Sequence, residues 1–116
     1  MQSEKIKDLA CEALDDLKGN DINVLSVGKV SSVADYMIIA SGTSNRHVKA
    51  LADNVQQLLK QAGCPAIGIE GADTAEWILV DLGAVIVHVM LPATRAFYDL
   101  ESLWTLKPEQ SDSAQD

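Results

Sequence analysis

The sequence is short of cysteine and of long apolar runs, and both shortages restrict the kind of protein it encodes. Two of the 116 residues are cysteines, Cys11 and Cys64, and they lie in apolar helical contexts without a CxxC spacing. This pattern predicts inert thiols in a reduced, cytoplasmic protein rather than a disulfide framework or a zinc site. A membrane-spanning helix needs about 20 apolar residues, and no run approaches that length. Met1 leads directly into an amphipathic pattern, so no signal peptide is expected.

Basic residues are also scarce, because 9 lysines and arginines face 17 aspartates and glutamates, which gives a net charge of −8. Nucleic-acid affinity depends largely on lysine and arginine side chains that neutralise phosphates. Since the lysines near the amino terminus are interleaved with acidic residues, we expect little direct contact with nucleic acid. Long-range electrostatics instead favour a positively charged partner. A simpler explanation stays open, namely that the negative charge only keeps the protein dispersed in water.

Motifs for nucleotide and metal chemistry are missing as well. The sequence has no Walker loop and no GxGxxG stretch. Ser41-Gly42-Thr43-Ser44 follows a predicted strand and opens a helix, a context that can hold an anion on backbone N–H groups. Nucleotidyltransferases also need paired carboxylates for Mg²⁺, and the nearby strands offer only Glu70 and Asp81. We therefore predict no cofactor, no metal site and no enzymatic activity, and keep a small nucleotide-binding or nucleotidyltransferase-like domain as the alternative.

Hydrophobic periodicity predicts one α/β domain over residues 1–107, in which helices pack in layers on a five-stranded mixed sheet. The predicted elements are, in chain order, a helix over 4–18, strands over 22–27 and 36–41, a helix between Ser44 and Gly63, a strand over 66–70, hairpin strands over 77–81 and 84–90, and a helix over 93–104. The unbroken apolar run 36–41 is typical of a strand covered on both faces. The composition of residues 108–116 predicts a disordered acidic tail.

The hairpin over 77–90 is the most informative segment. A two-residue loop at Leu82-Gly83 would pair Trp77 with His88 and divide the side chains between two faces. One face is uniformly apolar and belongs to the core: Ile78, Val80, Val85, Val87 and Val89. The other is mixed: Trp77, Leu79, Asp81, Ile86, His88 and Met90. Tryptophan and methionine are enriched at interfaces, so this face is either a docking surface or is covered by a helix, with Asp81 then a turn residue.

The two histidines favour structural roles over catalysis or metal binding. His88 lies in the middle of a predicted strand and has no second ligand residue at a suitable spacing. His47 lies in the first turn of the second predicted helix, where the helix dipole disfavours its charged form. We therefore expect His88 to be a structural residue and His47 to be exposed to solvent or hydrogen-bonded locally.

A series of short stretches resembles the Iojap/YbeB family of ribosomal silencing factors. They are Ala34 to His47, Glu70-Gly71, Trp77 to Gly83, Val87 to Met90, and Arg95 to Trp104. They occur in the family's order and spacing, and the likeness extends over roughly residues 4–105. The resemblance implies an α/β fold distantly similar to nucleotidyltransferases but without their catalytic acids.

The resemblance also implies a partner and a mechanism. Members of this family bind protein fourteen of the large ribosomal subunit, block joining to the small subunit and lower translation when nutrients are short. They are often dimers when free. On this basis we expect a set of partner-binding residues at the mixed hairpin face and on the last helix: Trp77, Leu79, Asp81, Met90, Arg95 and Tyr98. The acidic composition agrees with a basic ribosomal partner.

Overall fold

A computed structural model describes residues 2–103 as three helices and five strands. The elements are α1 (Ser3–Asp16), β1 (Asn20–Ser26), β2 (Tyr36–Ser41), α2 (Asn45–Gln61), β3 (Gly68–Glu70), β4 (Trp77–Asp81), β5 (Val85–Met90) and α3 (Pro92–Tyr98). Trp104 and the tail over 108–116 lie outside the described residues, so the prediction of a disordered tail stays a prediction. None of the helices within residues 2–103 is long and apolar enough to cross a membrane.

The five strands form one sheet in the order β1-β2-β5-β4-β3. β2 and β5 pair in parallel at its centre, and the other three pairings are antiparallel. The sequence-based prediction of an α/β domain with a five-stranded mixed sheet is therefore confirmed. A parallel pair needs a long crossover connection, and here the chain between β2 and β5 supplies it through α2 and the two strands β3 and β4.

The first face of the sheet is sealed by α1 and α2. Apolar residues recur at three- and four-residue intervals along α2, so that Val48, Leu51, Val55 and Leu59 are all fully buried. They pack against the branched side chains of the central strands in one continuous core. Burial of each large aliphatic side chain contributes about 1.5–3 kcal/mol, so this layer supplies most of the apolar stabilisation of the fold.

The hairpin loop differs from the predicted one by one position. The two loop residues are Gly83 and Ala84, because the Leu82 N–H donates to the Val85 carbonyl at 2.9 Å and closes the turn one residue later. Leu82 is 3% exposed and belongs to the core of the first face. Gly83 has φ +88°, a conformation that residues with a Cβ rarely adopt.

This later turn also shifts the strand pairing. Trp77 lies opposite Met90, and His88 lies opposite Leu79, so the predicted pairing of Trp77 with His88 was wrong. The shift is two residues along the partner strand, and an even shift leaves every side chain on its original face. The division of the hairpin into a branched core face and a mixed face is therefore confirmed, although the register was not predicted.

The last predicted helix is interrupted. α3 ends at Tyr98, and Asp99 has a left-handed conformation with φ 48° before helical residues resume at 100–103. The Ser102 hydroxyl donates to Asp99 Oδ2 at 2.7 Å and stabilises this reversal. The apolar spacing suggested one continuous stripe through Phe97, but the Phe97 side chain is 81% exposed. The prediction of an unbroken helix over 93–104 was therefore wrong within the described residues.

Candidate protein-docking surface

The second face of the sheet is sealed at its centre and open at one margin. Ile39 and Met90 are fully buried there, and His88 is nearly so. Ile39 and Met90 belong to a second and smaller apolar cluster, which also includes Val27 and Ala34 and has the half-buried Leu100 packed against it. The expectation that Met90 lies on an open surface was therefore wrong, because its side chain supports that surface from below.

Three aromatic side chains lie in a row at the open margin of this face, and we call Trp77, Tyr98 and Phe97 the aromatic row. The ring centroids of Trp77 and Tyr98 are 4.8 Å apart at an interplanar angle of 50°. Those of Phe97 and Tyr98 are 5.0 Å apart in an edge-to-face arrangement at 87°. Tyr98 is 54% exposed, while Trp77 is half-buried. The row thus runs outward from the sheet to the tip of α3, and its area is apolar with one phenolic hydroxyl.

The indole of Trp77 is fixed to the sheet by the buried His88. Trp77 Nε1 donates a hydrogen bond to His88 Nδ1 at 2.9 Å. Burial lowers the pKa of His88 to about 4, so the ring is neutral at physiological pH and Nδ1 is free to accept. A neutral ring that accepts at Nδ1 carries its proton on Nε2. His88 therefore has the structural role that the sequence favoured, and that role is to orient Trp77.

The backbone before β4 also fixes Trp77. Gly71 has φ +88°, and a Cβ at this position would collide with the carbonyl oxygen of Trp77. Only glycine allows this close approach between the loop after β3 and the first residue of β4. The Glu70-Gly71 pair in the sequence therefore reflects a packing requirement at the base of the aromatic row.

Leu79 and Asp81 continue the surface along β4. Both are half-buried and lie on the same face as Trp77, because alternate residues of a strand share a face. At about 3.3 Å per residue, Asp81 lies about 13 Å along the strand from Trp77. Asp81 Oδ1 accepts a hydrogen bond from the Gly83 N–H at 2.8 Å, so Asp81 acts as a turn residue. Asp81 therefore has the turn role of the second explanation, and docking at this face stays a prediction.

Arg95 is directed into the protein rather than out from it. Its side chain is 13% exposed and donates to Ser41 Oγ at 2.9 Å and to the Asp21 carbonyl at 2.8 Å. It also makes a two-point ion pair with Glu101. The sequence placed Arg95 and Tyr98 on one side of a helix, but their environments differ, since only Tyr98 presents a large area to solvent.

Of the six residues expected to bind a partner, the structure brings Trp77 and Tyr98 into contact and leaves Leu79 and Asp81 beside them. Met90 and Arg95 lie behind this surface. Sequence reasoning missed Phe97, which was assigned to an apolar stripe. A signal was available, because the adjacent aromatic pair Phe97-Tyr98 cannot direct both rings to one side of a single helix.

The entry to α2 is built for capping and close packing. Ser44 Oγ accepts from the His47 N–H at 3.1 Å, and His47 Nδ1 in turn accepts from the Thr43 N–H at 2.9 Å. His47 is thus locally bonded, as expected, and its Nε2 also lies 2.8 Å from the distant Leu17 carbonyl. A Cβ at Gly42 would meet Val48 backbone nitrogen at 2.8 Å. Two of the N–H groups that would hold a phosphate are therefore already occupied.

Acidic and metal-ligating side chains are dispersed over the part of the chain that is described. Within residues 2–103, no three histidine, cysteine, aspartate or glutamate side chains are grouped so that they could hold a metal ion. Glu70 and Asp81, the nearest approach to a carboxylate pair in the sequence, lie at opposite ends of the β3–β4 pairing.

Comparisons with known proteins agree on one family. The family model described as "Ribosomal silencing factor during starvation" matches residues 1–116. A ribosomal silencing factor from Chromobacterium violaceum is 54% identical over 104 residues, which are 90% of this chain and 85% of the relative. A ribosomal silencing factor from Haemophilus influenzae is 52% identical over 93 residues, which are 80% of this chain and 91% of the relative. A Mus musculus protein named "Mitochondrial assembly of ribosomal large subunit protein 1" is 38% identical over 93% of this chain and 49% of its own length.

Solved structures of similar sequence have the same fold. A crystal structure of a Chromobacterium violaceum protein matches with a TM-score of 0.88 at 54% identity and covers 90% of this chain and 87% of that chain. A crystal structure of a Bacillus halodurans protein matches with a TM-score of 0.80 at 35% identity and covers 87% of this chain and 94% of that chain. The layered arrangement of helices on a mixed sheet is therefore shared with proteins of known structure.

Proposed function

We propose, because this chain belongs to the family of ribosomal silencing factors, that it binds the large ribosomal subunit through the subunit's protein fourteen and blocks joining to the small subunit. Such binding lowers translation by steric exclusion when nutrients are short, and it takes place in the cytoplasm. Family membership supports ribosome association in general. We propose the partner protein and the steric mechanism because the aromatic row offers an exposed surface suited to another protein.

The composition of the surface supports a protein partner with a basic rim. Aromatic residues anchor protein interfaces because they bury a large area at a small cost in side-chain entropy. Carboxylates lie around the aromatic row: Glu76 next to Trp77, Asp99 next to Tyr98, and Asp81 along β4. The nearest arginine, Arg95, is committed to internal acceptors. Such a surface attracts lysine and arginine side chains and repels phosphates, so we propose little direct contact with ribosomal RNA.

The residues divide into two roles in this proposal. Trp77, Tyr98 and Leu79 contribute apolar contacts, and Asp81 contributes a carboxylate to a basic side chain of the partner. Met90 acts from behind by filling the space beneath the surface. Binding would then be carried by a few anchors surrounded by weaker contacts, as is usual for protein interfaces. We also propose that a second copy of the chain covers the same surface when no ribosome is present, so that dimerisation competes with silencing.

Sedimentation of purified large subunits tests the proposal directly. We expect the parent protein to travel with large subunits and to slow their joining to small subunits. Tyr98→Ala or Trp77→Ala should weaken binding by more than about 2 kcal/mol, which is the size expected of an interface anchor. Val33→Ala is a matched control, because Val33 is 75% exposed and lies in the loop at the other end of the sheet. Normal binding by both folded aromatic variants would refute the site.

A nucleotide-binding function is the second candidate, and the strand-to-helix turn over 41–44 is what favours it. The hydrogen bonds within that turn reduce the donors left for a phosphate. Calorimetry with ATP and Mg²⁺ at millimolar concentration decides between the two functions. We expect no heat of binding, and a saturable signal that is lost in Ser44→Ala would favour the nucleotide-binding alternative.

A further inference from the structure

The ion pair between Arg95 and Glu101 lies between the carboxyl-terminal segment and the sheet. We infer that this pair is a clamp that holds α3 on the sheet and so positions Phe97 and Tyr98 for the partner, and that Arg95 itself is a positioning residue. This inference rests on the proposed function for its second half. Its first half, the docking of α3, concerns the free protein and is measured without ribosomes.

The clamp connects the carboxyl-terminal segment to two strands that are distant in sequence. Arg95 Nε donates to Glu101 Oε1 at 3.0 Å, and Arg95 Nη2 donates to Glu101 Oε2 at 2.9 Å. The guanidinium also reaches Ser41 at the end of β2 and the carbonyl of Asp21 in β1. Glu101 Oε2 accepts a further hydrogen bond from Asn23 Nδ2 at 2.7 Å. Both members of the pair are thus bound to each other and to the sheet.

Two irregular backbone positions make this arrangement possible. The pairing of β1 with β2 shifts register between Asn20 and Asn23, and Asp21 has φ 50°. A bulge of this kind removes a residue from the ladder, and here it leaves the Asp21 carbonyl available to Arg95. The left-handed Asp99 reverses the chain after α3, which brings Glu101 back to Arg95. Residues six apart on a continuous helix would lie on different sides and could not pair.

The clamp matters because α3 has little else to hold it. No residue of α3 from Pro92 to Tyr98 is buried, so the helix lacks the apolar face that usually docks a surface helix. The clamp is largely shielded from water, with side-chain exposures of 13% for Arg95 and 26% for Glu101. Charge-assisted two-point pairs of arginine with carboxylate are stronger and more directional than neutral hydrogen bonds. The hydrogen bond from Arg95, followed by that from Asn23, outweighs burial and lowers the pKa of Glu101.

The position of α3 determines the shape of the docking surface. Tyr98 lies against Trp77 only while α3 rests on the sheet, and Phe97 lies against Tyr98. A surface that is ordered before binding loses less conformational entropy when the partner arrives. Arg95 and Glu101 thus do not contact the partner. They raise the affinity because they increase the fraction of molecules in which the aromatic row is assembled.

Two substitutions from opposite sides of the clamp test this role. Arg95→Met keeps the length of the side chain and removes its charge, and Glu101→Gln removes the ion pair from the other side. Arg46→Met is the matched control for Arg95→Met, because Arg46 is exposed on α2 and both substitutions remove one positive charge. The readouts are the NMR signals of the Trp77 indole N–H and the Tyr98 ring in the free protein, and the affinity for large subunits. Trp77→Phe identifies which of the two indole signals belongs to Trp77.

In both clamp variants we expect α3 to leave the sheet, so that the Trp77 and Tyr98 rings separate and their NMR signals shift. Arg46→Met should leave these signals unchanged. If release leaves about one tenth of the molecules assembled, the affinity for large subunits falls about tenfold. Arg95→Lys, which keeps the charge but cannot make a two-point pair, should restore part of the signal and part of the affinity.

Three results would distinguish a failure of the clamp inference from a failure of the proposed function. Unchanged NMR signals in both clamp variants would overturn the inference, whatever the affinity does. A loss of affinity in Arg95→Met alone, with Glu101→Gln like the parent, would show that Arg95 contacts the partner, which also overturns it. A parent protein that does not bind large subunits would refute the proposed function, and the NMR signals of the free variants would still decide whether the clamp holds α3.

Discussion

The two faces of the sheet are covered in different ways. On the first face, α1 and α2 lay continuous apolar stripes over the strands, and residues such as Leu51 and Val87 are fully buried. On the second face, a smaller apolar cluster fills the centre, and α3 is held by polar contacts instead of buried side chains. The first face therefore provides most of the stability of the fold, and the second face keeps an apolar margin exposed to solvent.

This contrast explains how a small domain presents aromatic residues to solvent without losing its fold. Exposed apolar area on a monomer commonly marks a binding site, because isolated proteins gain nothing from leaving it uncovered. Here the exposed rings belong to the element that contributes least to the core. Substitutions on the first face should consequently change the free energy of unfolding, and substitutions at the exposed margin of the second face should change the affinity for large subunits.

Leu51→Ala should have the largest effect on stability. Leu51 is fully buried between α1, α2 and the sheet, and truncation of such a leucine costs about 2–5 kcal/mol through lost burial and the cavity left behind. Urea unfolding followed by circular dichroism measures this loss. At concentrations where the variant stays folded, its affinity for large subunits should match that of the parent. A stability loss below about 1 kcal/mol would contradict the assignment of the first face as the main core.

The protonation of His88 should couple the second face to pH. Its pKa is lowered from 6.5 to about 4 in the folded protein, so between these values the unfolded chain binds a proton that the folded chain does not. The contribution of His88 to the free energy of unfolding is therefore fully present above pH 6.5 and decreases as the pH falls toward 4. The shift corresponds to about 3 kcal/mol at most.

Unfolding free energies of the parent and of His88→Asn, measured from pH 7.5 to pH 4, isolate this contribution. The difference between the two curves should narrow as the pH falls, because the variant lacks the titrating group while all other groups are shared. The Trp77 indole N–H signal of the folded protein should shift only as the pH approaches 4, where the folded His88 takes up its proton. A constant difference between the curves would show that His88 titrates normally and that its ring is not buried as described.

Phe97→Ala tests the aromatic residue that the sequence did not identify as part of the site. Its ring is mostly exposed and touches Tyr98, so removal should weaken binding to large subunits by about 1–2 kcal/mol. Ile67→Ala is a control of similar exposure, because Ile67 is 72% exposed and lies away from α3 at the start of β3. Equal affinities for the two variants would exclude Phe97 from the docking surface.

Tyr98→Ala should have the smallest effect on stability, which gives the comparison its sharpest form. The side chain leaves half of its surface in water and packs only against the exposed margin, so the free energy of unfolding should change by less than about 1 kcal/mol. Urea unfolding measures it beside Leu51→Ala. A loss comparable to that of Leu51→Ala would show that α3 belongs to the core and that the two faces do not differ in role.

Sequence periodicity predicted the elements and the faces because both depend on local repeats. The alternation along 77–81 and 85–90 assigned the branched residues to the core correctly, even though the loop was placed one residue early and the pairing was off by two. A two-residue slip preserves the face of each side chain, so the pattern could not reveal the error. The burial of Leu82 in the first-face core depends on helices that lie elsewhere in the chain.

The candidate site was less predictable because its geometry depends on distant contacts. Met90 is buried in the second apolar cluster, which contains Ile39 and has Leu100 packed against it, and its own strand pattern indicates neither residue. Arg95 and Tyr98 were expected on one side of a helix, but the acceptors that draw Arg95 inward lie at Ser41 and Asp21, more than fifty residues earlier. The left-handed turn at Asp99 has no glycine to signal it.

Hydroxyl-radical footprinting of the full chain, free and bound to purified large subunits, tests the central claim most directly. Aromatic side chains react readily when they are exposed, so the method reports which of them a partner covers. We expect Phe97, Tyr98 and Trp77 to lose reactivity on binding, while Val33 and Ile67 stay as reactive as in the free protein. Protection of the outer surfaces of α1 and α2, with Phe97 and Tyr98 still fully reactive, would contradict docking through the second face.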